Sequence, residues 1–169
     1  MSFEIGKRAL DFLIENSGTR RNLEVDFFGG EPLMNFEVCK QLVAYARSIE
    51  KKYNKNFRFT MTTNGIGITD EVIDWCNKEC HNVVLSLDGR KEVNDRFRVD
   101  LAGNGSYDRI VPKFQKLVKR AAARATICAA RLRITTLILR RTCSTWPTTS
   151  ALPSCPWSRL SPRRTPPRP

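Results

Sequence analysis

A short strand pattern that stops at two adjacent glycines, within residues 23–33, constrains the fold of this chain more than any other feature. Its side chains alternate with the period of two that is typical of a sheet with one more buried face, Leu23, Val25 and Phe27 against Glu24, Asp26 and Phe28. Gly29 and Gly30 then allow a sharp turn and the close approach of a ligand, because neither residue carries a Cβ. Glu31 is therefore predicted to lie at the carboxyl end of a strand, where α/β folds place their ligands.

Strand and helix patterns alternate along residues 1–118. Further strands are predicted at residues 57–62 and 82–87, and they end in the polar turns Thr63-Asn64-Gly65 and Asp88-Gly89. Helical spacing precedes the first strand and follows each of the three. This order indicates an α/β fold with parallel strands and right-handed helical crossovers. About three strands are too few for a closed barrel, but they suffice for a half-barrel or a small open sheet.

Two details of the helical segments are also predicted. The first helix is expected to present an apolar face of Ile5, Ala9, Phe12 and Leu13 to the core. Residues 90–106 are expected to form a charged loop between the third strand and the last helix.

The three strand ends should bring polar groups to one edge of the sheet. The residues concerned are Gly29, Gly30 and Glu31, then Thr63 and Asn64, then Ser86 and Asp88. They offer backbone groups, two hydroxyls, an amide and two carboxylates, which suit a ligand with an ammonium group and a ribose. The alternative is that Gly-Gly, Asn-Gly and Asp-Gly are ordinary turn formers that only end strands. The glycine spacing does not match the dinucleotide-binding fingerprint.

The net charge of +12 is unevenly distributed. Residues 119–169 carry 11 of the 29 basic residues, no Asp or Glu, and 7 of the 9 prolines, so residues 1–118 are close to neutral. This shift predicts a folded domain at 1–118 and a basic, Pro/Arg-rich tail at 119–169 that is irregular and lies outside the native fold. Within the tail, residues 121–139 have helix propensity. The chain has neither a long apolar stretch nor a signal pattern, so a cytoplasmic location without membrane contact is expected.

The six cysteines do not form a spaced disulfide framework. Cys76 and Cys80 share one helical face and His81 follows, which is a spacing that permits a metal site. No second pair matches this spacing, so buried thiols are the expected interpretation. The sequence therefore predicts neither metal ligands nor catalytic side chains.

Five segments of residues 1–118 form a specific combination, Phe27-Phe28-Gly29-Gly30-Glu31-Pro32-Leu33, Thr62-Thr63-Asn64-Gly65, Val84-Leu85-Ser86-Leu87-Asp88-Gly89, Asn94-Asp95-Arg96-Phe97-Arg98 and Gly105-Ser106-Tyr107-Asp108. Together they resemble the radical S-adenosylmethionine enzymes, and within these the peptide maturases with a cysteine-rich C-terminal (SPASM-type) domain. The resemblance is greatest to the thioether-forming maturases of six-cysteine (SCIFF) peptides. Anaerobic sulfatase maturases are similar but more distant.

The resemblance implies part of a (β/α)6-type barrel, with S-adenosylmethionine bound to a [4Fe–4S] cluster that three cysteines hold. An electron donor would drive cleavage of S-adenosylmethionine to a 5′-deoxyadenosyl radical, which would take a hydrogen atom from a ribosomal precursor peptide and lead to a thioether. By position, the residues that would hold the cofactor are Gly29, Gly30 and Glu31 for the ammonium group, Thr63 and Asn64 at the mouth, Ser86 and Asp88 for the ribose or methionine end, and Arg98 for the carboxylate.

The sequence departs from the family pattern at the cluster. The family's C-x3-C-x2-C cysteines precede the first helix, where this sequence begins, and Cys39, Cys76 and Cys80 fall on other elements. The resemblance therefore implies a truncated fragment that is expected to be inactive as it stands.

Two explanations of the tail remain open. A slip of the reading frame near residues 119–124 would turn residues 129–134 into Gly-Thr-Phe-Thr-His and residues 151–160 into Phe-Ala-Val-Leu-Ser-Met-Glu-Pro-Val. Both strings resemble strands that follow in the maturase family. Alternatively, the tail belongs to a non-enzymatic protein that binds nucleic acid. Its arginines form no clear stripe or known module, so nucleic acid is not the expected partner.

Overall fold

Four parallel strands with helical connections form the framework of the protein. The computed structural model describes residues 1–120 in full and the backbone of residues 125–129. The strands are β1 Asn22–Phe27, β2 Asn56–Thr63, β3 Cys80–Ser86 and β4 Ala125–Ala129, in the order β1-β2-β3-β4. The helices are α1 Phe3–Asn16, α2 Phe36–Tyr53, α3 Asp70–Glu79, α4 Lys91–Phe97 and α5 Tyr107–Arg120, and a 3₁₀ turn, Pro32–Asn35, precedes α2. The predicted α/β class and its three parallel strands are confirmed.

All neighbouring strands run in the same direction, so their carboxyl ends lie at one edge of the sheet. Phe27 at the end of β1 pairs with Met61 of β2, and Thr63 at the end of β2 pairs with Leu85 of β3. This register places the turns that follow β1, β2 and β3 side by side.

The helices cover one face of the sheet and leave the other uncovered by the described residues. Strand β2 shows this most clearly, because Phe57, Phe59 and Met61 are buried while the residues between them are only half-buried. The core that covers this face includes Leu42, Val43 and Ala46 of α2, Ile73 of α3, and Ile110 and Phe114 of α5. Each large apolar side chain buried in it contributes about 1.5–3 kcal/mol. The less covered face is called the open face below.

The apolar face predicted for α1 is wrong for Ile5, Ala9 and Phe12, whereas Leu13 packs against the core as predicted. Ile5 and Phe12 are 59% and 65% exposed, whereas Gly6 and Ile14 are buried. A Cβ on Gly6 would stand 2.6 Å from Cδ1 of Leu42, so glycine lets α1 approach α2 closely. The helical period fits both the predicted face and the face that contains Gly6 and Ile14. The close approach of α1 to α2 determines that the second face is buried.

The predicted charged loop between β3 and α5 contains a helix, α4. This helix is short and has no apolar stripe, which is why its sequence did not indicate it. Tertiary hydrogen bonds stabilise it instead, because its Asn94 is completely buried and bonds to groups outside the helix.

Strand β4 extends the sheet beyond the boundary predicted at residue 118. It pairs with β3 between Asn82–Ala125 and Ser86–Ala129. Residues 125–129 are thus a strand although residues 121–139 have helix propensity, because pairing with an edge strand outweighs a weak intrinsic preference. Residues 121–124 and 130–169 lie outside the described residues, and so do the predictions of an irregular, frameshifted or nucleic-acid-binding tail there. None of the described helices is long and apolar enough to cross a membrane.

Candidate functional site

The candidate site is the carboxyl edge of the sheet, where three turns meet. Glu31 follows β1, Asn64 follows β2 and Asp88 follows β3. This placement comes directly from the parallel order of the strands and was predicted on that ground. Which side chains contact one another there depends on details of the turns.

Glu31 joins the turn after β1 to the turn after β2. Its Oε1 accepts a hydrogen bond from the Thr63 hydroxyl at 2.7 Å, and its Oε2 accepts one from the Asn64 backbone N–H at 2.7 Å. Oε1 also accepts from the Leu33 N–H at 3.2 Å and so caps the 3₁₀ turn. An ionised carboxylate accepts about four hydrogen bonds. These three contacts fix the carboxylate and leave it the capacity for one more donor.

Thr63 and Asn64 shape the turn after β2. The Thr63 side chain is buried, and besides donating to Glu31 its oxygen accepts from the Gly65 N–H at 3.0 Å. The amide oxygen of Asn64 accepts from the Ile66 N–H at 2.9 Å. Both polar side chains therefore hold the backbone of the turn, which is the role of ordinary turn formers. Thr63 also positions Glu31 through its hydroxyl, whereas Asn64 does so through its backbone N–H.

The two glycines before Glu31 form an open, left-handed turn. Gly29 has φ of +88° and Gly30 has φ of +51°, a region that residues with a Cβ rarely adopt. A Cβ built on either residue would meet no atom of the described residues within 4 Å. The backbone of the turn thus borders open space, and a ligand can approach it closely.

Asp88 and Arg98 form the second polar group at this edge. Arg98 Nε donates to Asp88 Oδ2 at 2.8 Å, and Nη2 donates to Oδ1 at 3.3 Å, which is a bidentate pair. The Asp88 side chain is 3% exposed and that of Arg98 is 21% exposed. The carboxylate is therefore enclosed, while part of the Arg98 side chain is exposed.

The structure brings the predicted site residues into two groups. Glu31, Thr63 and Asn64 form one hydrogen-bonded group beside the glycine turn, and Asp88 and Arg98 form the other. Ser86 is half-buried and ends β3, two residues before Asp88.

Sequence reasoning missed the role of Asn94 in this site. Its amide oxygen accepts from the Asp88 N–H at 3.3 Å, and its Nδ2 donates to Ser106 Oγ at 3.2 Å and to Asp95 Oδ1 at 3.0 Å. Asn94 thereby connects the end of β3 with α4 and with the start of α5. The sequence contains the two polar motifs, around residues 94–98 and 105–108. It does not indicate that the two motifs contact each other.

The open face of the sheet also carries polar contacts. Thr62 Oγ1 donates to Asp26 Oδ1 at 3.1 Å, and Arg58 lies 3.9 Å from Glu24. These contacts are solvent-exposed, in contrast to that of Thr63 on the opposite side of the same strand.

Among the cysteines of residues 1–120, Cys39 lies next to the site, because its Sγ donates to the Pro32 carbonyl at 3.8 Å, beside Glu31. Cys39, Cys76 and Cys80 are buried in the core on the helix-covered side. Burial raises the pKa of the Cys39 thiol to about 11, and contact with Cys76 together with burial raises the pKa of Cys80. A cysteine must lose its proton to bind iron or zinc, because the thiolate is the ligand. Among the described residues no group of three His, Cys, Asp or Glu side chains could hold a metal ion. The prediction of buried thiols is confirmed.

Comparison with known proteins finds relatives that are similar to this chain in sequence. A cysteine-type anaerobic sulfatase-maturating enzyme of Clostridium novyi is 30% identical over 101 residues, which are 57% of this chain and 26% of that enzyme. An uncharacterized protein of Methanocaldococcus jannaschii is 30% identical over 98 residues, 58% of this chain and 32% of that protein. The chain thus spans between a quarter and a third of the length of these relatives.

Solved structures resemble the fold. Native anSMEcpe with bound AdoMet and the Cp18Cys peptide superposes with a TM-score of 0.64 and 22% identity, covering 74% of this chain and 34% of that one. The structure of native anSMEcpe with bound AdoMet gives the same values.

A parallel sheet with one uncovered face and a glycine turn at its carboxyl edge has the fold of part of a (β/α) barrel, as in the anSMEcpe structures. The family model described as the 4Fe-4S single cluster domain matches residues 2–112. The chain belongs to that family, whose description names a 4Fe-4S cluster, and the two anSMEcpe structures contain bound AdoMet.

Proposed function

We propose that residues 1–120 form the part of a radical S-adenosylmethionine maturase that binds the methionine end of the cofactor. The observation that carries this proposal is the open Gly29-Gly30 turn, held in place because Glu31 is bonded to the end of β2. The backbone of the turn borders open space, and the hydrogen-bonded carboxylate of Glu31 adjoins it.

The charges of the two groups at the edge complement those of the cofactor. S-Adenosylmethionine carries an ammonium, a sulfonium and a carboxylate. The glycine-turn carbonyls and the remaining acceptor capacity of Glu31 suit the ammonium group, and the exposed part of Arg98 suits the carboxylate. Ser86 would contact the ribose or methionine end, and Asn64 would line the mouth.

The [4Fe–4S] cluster does not fit the described residues. The three cysteines of residues 1–120 are buried in the core, with pKa values raised at Cys39 and Cys80. When bound in the family, the cluster supplies the electron for radical chemistry.

Two kinds of peptide are candidate substrates, and a different observation supports each of them. The sequence motifs favour a cysteine-rich precursor peptide and thioether formation, a two-electron oxidation in which an S–H and a C–H bond would be replaced by a C–S bond. The 5′-deoxyadenosyl group cleaved from S-adenosylmethionine would take the hydrogen atom from carbon, the thiol proton would pass to solvent, and the remaining electron would pass to an external electron acceptor. The Clostridium novyi relative favours a sulfatase peptide equally well. In both cases the substrate is a peptide that contains cysteine, and an external electron donor is required.

The test of cofactor binding is equilibrium dialysis of the 169-residue chain with labelled S-adenosylmethionine. We expect weak but saturable binding that unlabelled S-adenosylmethionine displaces. A cooperatively folded chain without saturable binding would refute the proposal.

The substrate is tested on the anaerobically reconstituted product of the complete reading frame around this chain. Incubation with a cysteine-rich peptide and with a sulfatase peptide, followed by mass spectrometry, distinguishes the two. Loss of two hydrogens from the first peptide supports thioether formation, and modification of the sulfatase peptide alone supports the alternative.

The reading frame of residues 119–169 is a separate proposal. Sequencing the coding DNA from fresh template tests it. We expect a single-base slip near codon 120, with the alternative frame spelling the two family-like strings. A confirmed frame would end this proposal and leave β4 and the basic tail as genuine parts of the protein.

A further inference from the structure

The carboxylate of Asp88 is enclosed, although by sequence position Asp88 is a candidate cofactor ligand. Its side chain is 3% exposed, and both of its oxygens accept hydrogen bonds from Arg98. A ribose diol would need an oxygen of this carboxylate as its acceptor, and the burial of the carboxylate leaves little room for that. Arg98 is seven times more exposed, and its guanidinium has five N–H donors, of which the pair with Asp88 uses two.

The backbone on both sides of this pair is fixed as well. Asn94 accepts from the Asp88 N–H through its side chain and from the Arg98 N–H, at 2.8 Å, through its backbone carbonyl. The Arg98 carbonyl accepts from the Ser106 N–H at 3.1 Å. Asn94 is 0% exposed, so these contacts are shielded from water. The end of β3, α4 and the start of α5 therefore hold Asp88 and Arg98 in a single arrangement.

We propose that Asp88 is a positioning residue, which orients the guanidinium of Arg98 for the carboxylate of S-adenosylmethionine and does not itself contact the cofactor. This inference rests on the proposed function. A guanidinium on a long flexible side chain loses rotamer freedom when it binds an anion, and prior fixation by Asp88 and Asn94 removes most of that cost. The opposing effect is that the charge of Asp88 weakens the attraction of Arg98 for an anion. The gain from holding the guanidinium in place should exceed this loss of attraction, because the pair is bidentate and mostly buried.

Three ligands distinguish a positioning role from a direct contact. S-Adenosylmethionine carries both the ammonium and the carboxylate, its decarboxylated analogue lacks only the carboxylate, and 5′-methylthioadenosine lacks both but keeps the ribose. Their dissociation constants are measured by equilibrium dialysis for the wild-type chain, Asp88→Asn, Arg98→Lys and the double variant. Asp100→Asn is the matched control, because Asp100 pairs with Arg109 at 3.3 Å in the neighbouring loop at a more exposed place.

Asp88→Asn is expected to weaken binding of S-adenosylmethionine by about tenfold. Binding of the decarboxylated analogue and of 5′-methylthioadenosine should stay within about twofold of wild type, as should binding of every ligand to Asp100→Asn. The double variant should bind no more weakly than Arg98→Lys, because Asp88 acts through Arg98. Unchanged binding of 5′-methylthioadenosine also shows that a variant is folded.

Other outcomes overturn the inference. Equal weakening for all three ligands would show direct ribose contact or a general structural role, and tighter binding of S-adenosylmethionine by Asp88→Asn would show that Asp88 only neutralises Arg98. Additive losses in the double variant would show that the two residues act separately. If the wild-type chain binds none of the ligands, the proposed function fails and this inference fails with it, whereas normal wild-type binding with an unaffected Asp88→Asn refutes the inference alone.

Discussion

Thr63 donates a 2.7 Å hydrogen bond to Glu31, a residue 32 positions earlier in the chain, and this contact joins the ends of β1 and β2. It places a buried hydroxyl against a carboxylate at the edge where the glycine turn opens. The geometry of the candidate site therefore depends on a long-range polar contact as well as on the glycines.

Replacing Thr63 by valine should destabilise the fold by about 1–3 kcal/mol. The change keeps the shape of the side chain, but it removes the donor to Glu31 and the acceptor of the Gly65 N–H. The free energy of unfolding in urea measures the effect. Thr62→Val is the matched control, since Thr62 makes the same kind of contact, to Asp26, at an exposed position and should cost less than about 1 kcal/mol. Equal losses in the two variants would contradict the importance of the Thr63 contact.

Gly30→Ala should weaken binding of S-adenosylmethionine by about tenfold or more, because its methyl group would occupy the space beside the turn. The left-handed backbone conformation at position 30 should also lower the free energy of unfolding of Gly30→Ala by about 1 kcal/mol. Gly18→Ala supplies the control, since Gly18 has φ of +52° against +51° for Gly30, and a Cβ there also meets no described atom within 4 Å. Both variants should lose similar stability in urea, but only Gly30→Ala should lose affinity in dialysis. Parallel effects on affinity would mean that the turn does not contact the cofactor.

Gly65→Ala should destabilise the protein by about 3 kcal/mol or more, because the new Cβ would overlap the ring of Phe114 in addition to adopting a left-handed φ of +87°. Gly103→Ala has a similar φ of +82° and open space around the Cβ, so it should cost only about 1 kcal/mol. Thermal unfolding of both variants separates the packing cost from the backbone cost. If the two melt at the same temperature, α5 does not pack against this turn as described.

The strands could be predicted from sequence because their signals are local. Alternation of apolar residues and glycine-containing turns located β1, β2 and β3 to within about two residues, and the parallel order then followed from the helices between them. The buried face of α1 could not be predicted in this way. Two stripes fit the helical period, and the choice between them depends on the packing of Gly6 against Leu42.

The candidate site was predictable as a location but not as a set of contacts. Parallel strands must end at one edge, so the position of Glu31 near Thr63 follows from the fold. The pair between Asp88 and Arg98 depends on α4, which brings Arg98 back to the strand end and is stabilised by the buried Asn94. A charged segment of this length without an apolar stripe carries no local sequence signal that indicates such a helix.

Stability should fall at alkaline pH in a way that depends on Cys39. Burial raises the pKa of this thiol from about 9 to about 11, so the folded state keeps a proton that the unfolded state loses. The contribution is complete below pH 9 and is lost as the pH rises toward 11, by about 1.4 kcal/mol for each pH unit at most. Urea unfolding from pH 8 to pH 11 measures this decline, and Cys39→Ala, which cannot ionise, corrects for the titration of other groups. The difference in unfolding free energy between the wild-type chain and Cys39→Ala should shrink across this interval, and a constant difference would show that the thiol ionises as readily in the folded state as in the unfolded one.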